Sequence, residues 1–126
     1  VHMRYNAHET FQTLIRPFLE NSIFRDCVRR GKAILIWTSY TAQSPKYDIK
    51  YPYQRLEKGL KFNEKINQIF KNRSIHPSAI VDWLNFTTGA MHTDGLHYAA
   101  QVNYFKAQHI IELADNLWKE KKFFDA

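Results

Sequence analysis

Two short apolar runs, at 33–37 and 79–84, constrain the fold most tightly. The first is Ala33, Ile34, Leu35, Ile36 and Trp37, with no polar alternation. A strand apolar on both faces needs cover on both, which is the condition of a parallel sheet layered by helices. Between the runs lies a stretch over 42–55 without periodicity, holding Pro45 and Pro52. It reads as a long loop, followed by helical spacing over about 56–71 with Leu60, Ile66, Ile69 and Phe70 facing inward. His76-Pro77 turns the chain into the second run. Strand, helix and strand in that order form a crossover unit, which is right-handed in nearly all proteins. Both strands read as central, yet each has only the other as a partner, and bare strand edges invite association.

Helices flank this unit. Asn6 and Glu9 have the spacing of a capping box. Phe11, Leu14, Ile15 and Phe18 follow at helical intervals, interrupted by Pro17, which predicts a kink or a fresh helix start. The pattern continues through Ile23, Cys27 and Val28 to Gly31, a natural C-terminal cap. A last helix is expected over about 96–121, with Ala107, Ile110, Ile111, Ala114, Leu117 and Trp118 as its apolar stripe. Val1, His2 and Met3 read as a cloning remnant and stand outside the fold.

The formal charge of +6 favours acidic partners, but the basic residues are scattered. Arg29, Arg30 and Lys32, and Lys119, Lys121 and Lys122, fall where helices end and complement their dipoles. No named nucleic-acid motif is present, so nucleic acid is not the expected partner, although Tyr40, Tyr47, Tyr51 and Tyr53 could stack on bases or sugars. Cys27 is the sole cysteine, so an internal disulfide is excluded and it reads as a small buried hydrophobe. Two glycosylation sequons, at Asn72 and Asn85, weakly favour the secretory pathway or extracellular space over the cytoplasm. No apolar run approaches the length of a membrane span.

The chemistry concentrates after the second strand. Thr93, Asp94, Gly95, Leu96, His97 and Tyr98 lead from a Thr-rich loop into the last helix. Side chains three apart on a helical turn are neighbours. Asp94 could therefore accept a hydrogen bond from one ring nitrogen of His97, leaving the other free to take a proton from a nucleophile. The plain alternative is an ordinary N-cap at Asp94 and a surface histidine. Polar Thr38, Ser39, Tyr40 and Thr41 end the first strand at the edge where parallel sheets bind ligands. His92, Asp94 and His97, with His76 or Asp82, could instead gather round zinc or iron, though their spacing matches no strong metal motif.

Asp82-Trp83-Leu84, the loop, and the Asp94-x-x-His97 block resemble the last conserved block of SGNH/GDSL-type serine hydrolases. They are most similar to the PC-esterase-like group, which includes glycan acetyl-transferring and acetyl-hydrolysing enzymes. The resemblance covers nearly the whole chain but only the second half of the family's domain. It implies a flavodoxin-like three-layer α/β/α fold, with 4–126 as its C-terminal half. It implies His97 as general base, Asp94 as its orienting acid, an ester substrate such as O-acetylated carbohydrate, and no cofactor. Ser39, Tyr40 and His92 are the candidate substrate contacts. The family's Gly-Asp-Ser nucleophile and its Gly and Asn oxyanion donors have no counterpart here. The nucleophile would come from outside this chain, and the missing strands from the rest of the domain or a second copy. The competing expectation is an inactive hydrolase-like fragment that serves as a basic module for glycan or nucleic acid.

Overall fold

The computed structural model describes residues 6–39, 56–84 and 100–125. In chain order these form α1 (Ala7–Thr10), a π-helical segment (Phe11–Ile15), α2 (Arg16–Leu19), α3 (Ser22–Arg29), β1 (Ile36–Thr38), α4 (Leu56–Asn72), β2 (Ala79–Val81) and α5 (Ala100–Lys119). The loop expected over 42–55 and the start of the last helix before Ala100 lie outside the described residues.

The amino-terminal cap forms as its residues predict, with one change of partner. Asn6 Oδ1 accepts the Glu9 N–H at 2.9 Å, while the Glu9 carboxylate takes a hydrogen bond from the Asn6 side-chain amide at 3.3 Å and not from its backbone. Pro17 is accommodated upstream. The Arg16 N–H bonds the carbonyl of Phe11, five residues back, and this wider turn relieves the clash that a proline ring makes with the carbonyl four residues before it. Pro17 then lies in the first turn of α2, where its missing N–H costs little. The inserted width also turns the apolar face. Phe11 is buried, but Leu14 and Phe18 are more than half exposed, contrary to the helical spacing.

A second break comes at Asn21, whose side chain accepts the N–H groups of Ile23 and Phe24 and starts α3. That helix stops at Gly31. The Gly31 N–H bonds the Val28 carbonyl and the Lys32 N–H bonds that of Cys27, closing a Schellman motif with Gly31 at φ +66°.

β1 and β2 pair in parallel, Ile36 with Ala79, Trp37 with Ile80 and Thr38 with Val81. α4 makes the crossover, so this is an α/β arrangement, as the two apolar runs require. Each strand is three residues long, shorter than its apolar run. The expectation of strands buried on both faces is not met: β1 is half-buried throughout and Ile80 is 54% exposed. Among the described residues the sheet has two strands, so neither flank receives the cover that a central strand would have.

The main core joins α1, the π segment and α4 around Ile66, which is wholly buried. Ala7, Phe11, Ile69 and Phe70 complete it, and Trp37 of β1 meets Phe70 edge-on at 5.3 Å. Leu60, expected inside, is 54% exposed. In α5 the buried side is set by Leu117, with Ile110, Leu113 and Ala114 half-buried, whereas Ala107, Ile111 and Trp118 face out. The expected stripe was thus too broad: residues seven apart keep one face, and Ile111 and Trp118 share the outer one. The tail returns to the sheet, where the Phe124 N–H bonds the Ala33 carbonyl at 2.7 Å and its ring lies 5.9 Å from that of Phe24.

One buried polar atom has no partner among the described residues, the Thr10 hydroxyl. Its desolvation is uncompensated, so Thr10→Val, which keeps the shape and removes the hydroxyl, is expected to stabilise the chain by about 1 kcal/mol. A urea melt checks this; an unchanged or lower midpoint would show that the hydroxyl is satisfied in solution.

Candidate functional site

The carboxyl ends of β1 and β2 form one edge, occupied by Ser39 and Asp82. The ladder carries Ser39 there, since its N–H bonds the Val81 carbonyl at 2.9 Å. Its hydroxyl donates to Asp82 Oδ1 at 3.3 Å and accepts the Leu84 N–H at 3.1 Å. The chain turns helical at Trp83 and Leu84 directly after β2, and the Leu84 N–H goes to this side chain rather than to a strand partner. Both functions of this hydroxyl are used. Ser39 thus spends its donor on the Asp82 carboxylate and its acceptor on a backbone N–H. The arrangement is that of a pin between two chain ends.

Beside this pin, Trp83 is buried to 5% exposure under α5. The Lys106 ammonium lies 5.1 Å from the centre of its ring and the His109 imidazole meets it edge-on at 5.9 Å. Lys106 is partly desolvated there, which lowers its pKa from the ordinary 10.5. α5 is thereby fastened over the exit of β2. The sequence signalled Trp83 within the second apolar run and the Asp82-Trp83-Leu84 block, without showing what would cover it. It offered no pointer to Lys106 or His109, which lie 23 and 26 residues further along the chain.

Of the expected site residues, Ser39 stands at the sheet's carboxyl edge as its position at a strand end predicts. Tyr40, which follows it, and His92, Asp94 and His97 lie outside the described residues. The same holds for Tyr47, Tyr51 and Tyr53. Among the described residues, no three His, Cys, Asp or Glu side chains gather into a group fit for a metal. Arg29 and Arg30 both pair with Asp26, at 3.4 and 2.8 Å, and Lys119 pairs with Asp115 at 2.7 Å. These are exposed pairs of small energetic weight. Cys27 is a free thiol, half-buried and not fully enclosed as expected. Among the described residues no helix is long and apolar enough to cross a membrane. Comparison with family models, with curated proteins and with solved structures finds no match.

Proposed function

We propose that this chain carries the acid–base half of a serine esterase, acetyl hydrolase or O-acetyltransferase, within a flavodoxin-like three-layer α/β/α domain. The observation that supports the reading is the parallel β1–β2 pair, with Ser39 and Asp82 at its carboxyl edge. Ligands of open parallel sheets bind outside that edge. The segment bearing Asp94 and His97 joins this edge to α5, which is itself fastened there through Trp83.

In this reading His97 takes the proton of an attacking hydroxyl and returns it to the leaving alcohol. Asp94 accepts a hydrogen bond from the other ring nitrogen, holds the tautomer and stabilises the imidazolium. The hydroxyl and the oxyanion donors belong to the remaining half of the domain or to a second copy. His92 and Tyr40 flank the substrate, for which an O-acetylated carbohydrate is the favoured class. Acyl transfer of this kind draws on no metal or organic cofactor. Ser39 keeps its structural place.

The test is turnover of 4-nitrophenyl acetate by this polypeptide alone. The rate is expected to stay near the buffer background, because acid and base without a nucleophile give little. Robust turnover that disappears in Ser39→Ala would overturn the assignment.

A further inference from the structure

A cavity of about 310 Å³ opens between the α2–α3 hairpin, the end of α4 and the carboxyl-terminal tail. We propose that it binds a small amphipathic anion, a phosphate or carboxylate head on an apolar body of about one ring. The floor is apolar: Phe11 and Phe124 are buried there, at 2% and 5% exposure, beside half-buried Ile75. The wall carries Arg16, Arg25 and Arg73 against a single carboxylate, Glu20. Arg16 already engages that carboxylate through Nε at 2.9 Å and Gln12 through Nη1 at 3.1 Å. The pair leaves the charge of Arg25 and Arg73 in excess.

Those two are distinctive. Arg16, Arg29 and Arg30 each hold a carboxylate, and the only described arginines without one are Arg25 and Arg73, both on this cavity. Arg73 is also pre-positioned, its guanidinium lying 4.6 Å from the centre of the Phe11 ring. Contact with a buried ring restrains the guanidinium and leaves N–H groups for an acceptor. An acidic head between the two guanidinium groups, with its body on the phenyl floor, would satisfy both halves of the lining. The volume lies at the low end of ligand pockets and fits a compact molecule.

This site is separate from the proposed ester site. Ile75 precedes β2, and Phe124 bonds Ala33 ahead of β1, so the cavity opens at the amino ends of the strands, away from Ser39.

Isothermal titration of the polypeptide with phenyl phosphate and with benzoate tests the proposal and tells the two heads apart. At least one probe should bind saturably at one site. Inorganic phosphate and benzyl alcohol, head and body alone, should each bind about tenfold more weakly or less. Because Arg73 also packs on Phe11, Arg25→Gln is the deciding variant, and it should weaken the bound probe about tenfold. Arg30→Gln removes the same charge away from the cavity and should leave affinity within about twofold. Absence of saturable binding by both probes, inorganic phosphate binding as tightly as either, or equal losses in Arg25→Gln and Arg30→Gln would overturn the proposal.

Discussion

Replacing Ile66 by alanine is expected to lower the stability of this chain by about 3–4 kcal/mol, within the range for large aliphatic side chains truncated in a core. Ile66 is the one large side chain with no exposed surface among the described residues, and it stands where α1 and the π segment meet α4. Its neighbours cannot close the gap cheaply. Phe11 is held under the Arg73 guanidinium, and Phe70 is locked edge-on against Trp37. The lost contacts therefore leave a cavity instead of a collapse. Against a whole-domain stability of about 5–15 kcal/mol, such a loss shifts the denaturation midpoint strongly. Ile80, 54% exposed on β2, supplies the control: the same truncation there should cost under about 1 kcal/mol. Urea melts of the two variants check both values. Equal losses would show that the core lies elsewhere.

His97→Ala is expected to lower kcat/KM for an acetyl ester about 10³-fold or more, once the polypeptide acts with the part that supplies its nucleophile. The magnitude follows from the two duties proposed for it. Without an imidazole the attacking hydroxyl keeps its proton, and the leaving alcohol departs unprotonated. Asp94→Asn should also fall steeply, because an amide can hold the wrong tautomer and cannot stabilise the imidazolium. Ser39→Ala should leave turnover within a few-fold while costing roughly 1–2 kcal/mol of stability through its two lost hydrogen bonds. Steady-state kinetics on the assembled enzyme separates these outcomes, and full activity in His97→Ala would remove the histidine from the mechanism.

Local rules made much of the fold readable. The Asn6 cap, the stop at Gly31 and the span of α4 each depend on residues within one or two turns, and all appear where spacing places them. The parallel pairing of β1 and β2 was legible because two unbroken apolar runs bracket a helix. What failed needed knowledge of neighbours. Periodicity shows that Leu14, Leu60 and Ile111 are apolar and evenly spaced, but not whether another element covers them, and all three lie more than half exposed. The π segment is a response to Pro17 that a count in steps of three and four cannot show. The same division holds at the site. Ser39 was placeable as a strand-end residue. Its role as a pin was not, because the groups that occupy its hydroxyl lie 43 and 45 residues further along the chain. Arg25 and Arg73 likewise come together only through the return of α4 and the tail to the α2–α3 hairpin.

In the proposed function this chain contributes a proton-handling pair and no activated serine. Reaction of the folded polypeptide with a fluorophosphonate, read by intact mass and peptide mapping, tests it most directly. An unmodified chain is expected, with Ser39 unlabelled because its hydroxyl is committed to Asp82 and Leu84. A stoichiometric adduct on Ser39, formed by the folded chain but not by the chain unfolded beforehand, would contradict it.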